Sequence, residues 1–118
     1  MTTVVWKSKK IIGNMGWPIR IQPHLWSPPT DIFEVATNYI VRVEVAGMHH
    51  QDFIIQLQDS FLIISGNRTD TSERRAYHQM EVRFGEFSTI VAIPGPVEFD
   101  NASAEYTDGF LIVVLPKQ

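Results

Sequence analysis

Histidine binds metals and moves protons near neutral pH better than any other side chain. This chain sets two of its four histidines side by side, His49 and His50. A metal site needs further ligands converging on one point. Neighbouring turn or strand positions point apart, so the pair reads as a solvent-exposed turn. His24 and His78 lie far from it and from each other, and no pairing can be argued. Nucleophilic chemistry finds no better footing. Ser60, Ser65 and Ser88 lack the G-x-S-x-G context of a hydrolase elbow. There is no cysteine, which removes disulfides, thiolate metal sites and a cysteine nucleophile. The carboxylates are scattered singly, and the glycines stand isolated at turns rather than in a phosphate loop. Tyr77, Phe84 and Phe87 beside Arg74, Arg75 and Arg83 are the residue types of a base-stacking surface. Glu73, Glu81 and Glu86 interleave with them and make a mixed-charge edge instead. The residues therefore point away from an enzyme and give no metal or cofactor site.

The elements that would position these residues are short strands. In YIVRVEVAG, Val41, Val43 and Val45 share one face, with Arg42 and Glu44 opposite, and Gly47 ends the run. In DFIIQLQD, Phe53, Ile55 and Leu57 share a face. Asp59-Ser60 is a tight turn into FLIISG, which predicts a hairpin with Leu62 and Ile64 inward. Residues 68–76, RTDTSERRA, are polar without apolar period and read as a loop or extended arm. YHQMEVRFGEF has weak strand character up to a break at Gly85. Strands are predicted at 31–35, 39–46, 53–58, 61–67, 87–93, 102–106 and 110–115, with Asp108-Gly109 turning the last hairpin. The best helix candidate is a single turn near 48–52. This pattern predicts an all-β, two-sheet antiparallel β-sandwich of immunoglobulin-like type, with Leu111, Val113 and Leu115 facing Val41, Val43 and Val45 in the core.

A chain of 118 residues, 44% hydrophobic, suits one domain with a single core. The net charge of -3 gives no electrostatic drive toward nucleic acid or anionic membrane. The longest apolar runs, FLII and FLIVVL, fall far short of a membrane span. The order of a secretory signal is lacking, because the lysines of MTTVVWKSKKIIG follow its first apolar residues. Cysteine-free composition is compatible with a reducing cytosol, and a cytoplasmic location is expected. One stretch resists this scheme. GWPIRIQPHLW, residues 16–26, is broken for helix by its prolines yet too apolar for a solvated tail.

The order of elements from about Ser27 to Lys117 resembles the α-crystallin domain of small heat-shock proteins. PPTDIFEVATNYIVRVEVAG is similar to the family's opening Pro-x-x-Asp-Ile-x-Glu run and the strand after it. FIIQLQDSFLIISGNR is similar to its central hairpin, with Leu62, Ile64 and Gly66 in register. YHQMEVRFGEFSTIVAIP matches the aromatic-Gly-x-Phe and strand-Pro segment. AEYTDGFLIVVLPK matches the closing signature through Ala104, Asp108, Gly109 and Leu111. The resemblance divides the chain into an apolar leader, 1–27, and a domain, 28–117. It implies an ATP-independent holdase that binds unfolding proteins through apolar surface and prevents their aggregation. The alternative is a non-enzymatic co-chaperone or adaptor of the CS-domain type that binds one folded partner, a weaker match to the closing signature.

The family usually has arginine at the positions of Thr89 and Ala92, and threonine is common where Ile112 and Val114 stand. Its C-terminal extension with an Ile-x-Ile anchor has no counterpart before Gln118, so the expectation is either smaller oligomers or a truncated sequence. In the family that anchor enters a groove, which maps here onto Phe53, Ile55 and Leu57 on one strand and Ala102, Ser103 and Ala104 on another. These six are the expected groove and client-binding residues. Ile19 and Ile21 in the leader project to one side of an extended chain and are the candidate plug for that groove. The other possibilities are that Trp17 and Trp26 pack on the domain itself, or that the leader is disordered. The arm, residues 67–82, resembles the family's swapped loop. It is expected to cross to a second subunit and pair beside residues 31–35, with Tyr77 and Met80 as apolar anchors and Glu81 and Arg83 at the rim. The alternative is that it folds back on its own sheet. The implied partners are a second copy in a homodimer or larger homo-oligomer, and unfolding clients.

Overall fold

Alternation at period two becomes a ladder wherever a turn residue lets the chain reverse. In the computed structural model, which describes residues 2–3, 11–12 and 25–118, nine strands result. They are β1 (Thr2–Thr3), β2 (Ile11–Ile12), β3 (Thr30–Val35), β4 (Asn38–Glu44), β5 (Phe53–Gln58), β6 (Phe61–Arg68), β7 (Gly85–Ala92), β8 (Ser103–Thr107) and β9 (Phe110–Pro116). One sheet has the order β1-β8-β9-β4-β3, and the other β2-β5-β6-β7. Every pairing is antiparallel except β2 on β5, and Trp26 adds an isolated parallel bridge to Phe87. The fold is thus the expected two-sheet sandwich, with a parallel margin on the second sheet that the hairpin pattern does not announce.

The turns behave as their residues demand. At the β8–β9 hairpin Asp108 and Gly109 both take positive φ, 51° and 82°, the pair of left-handed positions a type I′ turn requires. Gly66 matters for a different reason. A Cβ there would stand 2.8 Å from Phe87 Cζ and 3.0 Å from the Asp52 carbonyl, so only glycine lets the Phe87 ring lie across β6.

The core lies between the sheets. Val41, Val43 and Val45 meet Leu111, Val113 and Leu115 on one side, and Phe53, Ile55, Leu62, Ile64 and Phe87 close it from the other. Trp26 joins them. Its ring centroid is 5.4 Å from Phe87, and its indole N–H donates to the Gly85 carbonyl. Three expectations need correction. β4 ends at Glu44 rather than 46, and β7 starts at Gly85 rather than 87. The weak strand character of YHQMEVRF is not realised, because residues 69–84 enter no ladder among the described residues. A short 3-10 turn, Phe99–Asn101, also interrupts the proline-glycine connection and seats Phe99 in the core. The expected helical turn appears as another 3-10 segment, His50–Asp52.

Candidate functional site

Two places on the sandwich carry the residues expected to make contact with other chains. The first is the margin where β5 and β8 approach. Phe53 of β5 and Tyr106 of β8 stand with ring centroids 5.2 Å apart. The Tyr106 hydroxyl donates to the Val45 carbonyl at 2.7 Å and accepts from the Met48 amide at 3.2 Å. That pins the open end of the sandwich. Of the residues expected to form the groove, Phe53, Ile55 and Ala104 are fully enclosed, and Leu57 and Ala102 are nearly so. Only Ser103 is exposed. The reason is alternation: the face of β5 that carries Phe53, Ile55 and Leu57 is the core face, so these side chains form the floor of the margin rather than its surface.

The backbone edges of this margin are occupied. Thr2 and Thr3 pair with Tyr106 and Glu105 on the β8 edge. Ile11 and Ile12 pair with Leu57 and Gln58 on the β5 edge. Leader residues therefore lie along both edges that flank the expected groove. Ile19 and Ile21, the candidate plug, fall outside the described residues.

The second place is the arm between β6 and β7. Its residues 69–84 are exposed throughout. Tyr77 is 50% and Met80 63% accessible, and Val82 and Phe84 are also exposed. Glu81 and Arg83 are exposed beside them. Local polar contacts shape it: Arg75 pairs with Glu73 at 2.7 Å and Asp70 at 3.3 Å, and donates to the Tyr77 hydroxyl. The arm is not folded back into a strand of either sheet. The edge strand β3 also carries exposed apolar side chains. Phe33 and Val35 project outward from it and are exposed, and Arg42 holds Asp31 at 2.6 Å.

Arg68 is the residue that sequence reasoning missed. At the last position of β6, it donates from Nε to the Arg83 carbonyl at 2.9 Å and from Nη1 to the Ala46 carbonyl at 3.2 Å. Its guanidinium lies 4.5 Å from the Trp26 ring centroid and 5.3 Å from that of Phe84. It closes the base of the arm. No local signal marks it, since all four partners are distant in sequence. Of the histidine pair, His49 is exposed and His50, in the 3-10 turn, is half-buried; no cluster of three or more potential metal ligands occurs among the described residues. No helix of the described residues is long and apolar enough to cross a membrane.

The family model described as "Hsp20/alpha crystallin family" matches residues 31–118. The chain is 28% identical over 109 residues to "Small heat shock protein C4" of Rickettsia felis, covering 91% of this chain and 67% of that one. It is 30% identical over 93 residues to "Small heat shock protein C2" of the same organism, covering 77% and 60%. Among solved structures it is similar to "Heat shock protein 16.0 from Schizosaccharomyces pombe", with TM-score 0.69 and 32% identity over 77% of this chain and 86% of that one. The chain thus spans about 60–67% of the length of these two curated relatives.

Proposed function

The chain belongs to the Hsp20/alpha crystallin family, which supports a chaperone role, and from that premise we propose that it is an ATP-independent holdase acting as a homodimer or larger homo-oligomer. The observation that carries this reading is the arm. A folded domain that leaves Tyr77, Met80, Val82 and Phe84 exposed on one unpaired segment is holding apolar surface for another chain. Part of that surface is satisfied by a second copy. The arm pairs beside β3 of the partner, with Tyr77 and Met80 as anchors against exposed Phe33 and Val35, and Glu81 and Arg83 at the rim. Covering β3 this way also removes a sheet edge prone to aggregation.

Clients are captured at the β5–β8 margin once the leader pairs at its edges, Thr2–Thr3 on β8 and Ile11–Ile12 on β5, give way to the client. An unfolding protein offers extended apolar segments and unpaired strand edges, and both can be bound by a sheet edge with an apolar floor. Phe53, Ile55, Leu57, Ala102 and Ala104 supply that floor, and Ser103 stands at its rim. Such capture needs no catalytic group, metal or cofactor, and a cytoplasmic site of action fits a cysteine-free chain.

The test is suppression of aggregation. Several unrelated proteins, denatured by heat or reduction, should stay in solution at near-stoichiometric ratios of this chain without ATP. A chain that protects none of them, yet binds one folded partner, would be an adaptor instead.

A further inference from the structure

Part of the outer face of the β2-β5-β6-β7 sheet is buried where an open face should be wet. Its outward residues are Ile54, Gln56 and Gln58 on β5, Phe61, Ile63 and Ser65 on β6, and Ser88, Ile90 and Ala92 on β7. These are the side chains opposite to the core residues of each strand. An antiparallel sheet commonly presents such a face to water. Yet Ile63 is 0% accessible, Gln58 4% and Ser88 8%, while Ile90 is 47% and Ile54 39%. The pattern has a direction. Ile63 pairs with Gln56, two residues before Gln58, and Ser88 pairs with Ser65, two residues after Ile63. The three buried side chains form a diagonal across the sheet, and the exposed isoleucines flank it on either side.

The ends of that diagonal are the two points where the leader meets this sheet. Ile12 pairs with Gln58 at one end. At the other, the Trp26 amide donates to the Glu86 carbonyl, and the Ser88 amide donates to the Trp26 carbonyl. Residues 13–25 must therefore travel from one margin of the sheet to the other. Four strand spacings separate the margins, about 19 Å. The 14 steps from Ile12 to Trp26 reach at most about 50 Å, so the chain can cross obliquely with slack. The inner route is closed by Phe53, Ile55, Leu62, Ile64 and Phe87, all core residues. A detour round the end of the sheet would leave Ile63 in water. The arm cannot be the cover, because its residues 69–84 are exposed along their whole length.

The segment has the pattern for the task. In GNMGWPIRIQPHL, Trp17, Ile19, Ile21, Pro23 and Leu25 recur at every second position. Arg20, Gln22 and His24 alternate with them, and Pro18 and Pro23 disfavour helix. Extended, it is a ribbon with one apolar face. Ser88 Oγ, buried without a partner among the described residues, offers a polar contact to the backbone of such a ribbon.

We propose that residues 13–25 of the same chain cross the outer face of the β2-β5-β6-β7 sheet along the Gln58–Ile63–Ser88 diagonal, which makes this face the docking site of the leader. Ile19 and Ile21 then rest on the sheet face and not in the β5–β8 margin.

The full chain has no cysteine, so introduced thiols are the only ones present. Ile19→Cys is combined with Ile90→Cys, and in a second variant Ile21→Cys with Ile54→Cys. Ile54 and Ile90 are exposed on the outer face and outside the core cluster, so both substitutions leave the core intact. The control combines Ile19→Cys with Arg42→Cys, on the outer face of the other sheet. A short bismaleimide should link at least one of the two test pairs within a single chain at least about tenfold faster than the control, because a docked pair has a higher effective concentration than a tethered free one. Equal rates for the test and control pairs would overturn the proposal. Links that form only between two chains would overturn it too, and would assign the face to the leader of a second copy.

Discussion

The β4–β9 ladder and the arm use apolar side chains in opposite ways. Along β4 and β9, Val41, Val43, Leu111, Val113 and Leu115 are fully enclosed. Along residues 69–84, Tyr77, Met80, Val82 and Phe84 are all in water. Both sets are large apolar side chains of one chain, though the arm sets its own among polar and charged residues. The difference is pairing. The ladder residues alternate against a partner strand seven residues long, so each inward side chain finds a facing one. The arm pairs with no strand among the described residues, and a single extended segment cannot bury a face by itself. Stability therefore resides in the ladder, and the intermolecular contact proposed above falls to the arm.

The largest effect should come from charging the ladder. Val113 pairs with Val41 on one side and Ala104 on the other, and all three are buried. Val113→Asp places a carboxylate there without a partner. The cost of several kcal/mol is a large share of the roughly 5–15 kcal/mol that holds such a domain together. The far-UV circular dichroism of the variant should be that of an unfolded chain at room temperature. A cooperative unfolding transition near that of the parent would mean that Val113 is not a core residue.

That contrast also explains what could be read in advance. The β5–β6 and β8–β9 hairpins were legible because their signals are local: alternation of period two, then Asp59-Ser60 or Asp108-Gly109 at the reversal. The core valines followed from the same alternation. FLIISG was harder. Four consecutive apolar residues do not say which face is dry, and Ile63 turned out buried on the opposite face from Leu62 and Ile64. The parallel bridge of Trp26 to Phe87 and the contacts of Arg68 join residues dozens of positions apart, and no window of sequence contains them. The expected groove residues lie on β5 and at the margin of β8. Their depth was misjudged, since the side chains facing the other sheet are the ones that the sandwich closes over.

Removing the arm should separate the two regions cleanly. Deleting residues 69–77 takes away Tyr77 and the Arg75 contacts, with no residue of the core. Sedimentation should show monomers where the parent chain shows dimers. The midpoint of thermal unfolding, measured at a concentration where both are monomeric, should move by less than about 4 °C, the shift that about 1 kcal/mol produces in a domain of this size. A deletion variant that stays dimeric would place the dimer contact outside the arm.

The smallest effect is expected where the two regions join. Arg68 belongs to the sandwich by its backbone and to the arm by its side chain. It donates to the Arg83 carbonyl at the end of the arm and to the Ala46 carbonyl after β4, and it covers the rings of Trp26 and Phe84. Both carbonyls lie at the surface, where water can replace the guanidinium, so Arg68→Ala should cost only about 1–2 kcal/mol. The loss should be local. Amide exchange should quicken at residues 84–86, where the arm re-enters β7, and stay unchanged at residues 111–115 in the centre of the other sheet. Arg68→Lys keeps a cation over the Trp26 ring but lacks the forked donors that reach two carbonyls at once. It should restore part of the protection and not all of it. If neither substitution alters exchange at residues 84–86, the arm is not held at its base by Arg68.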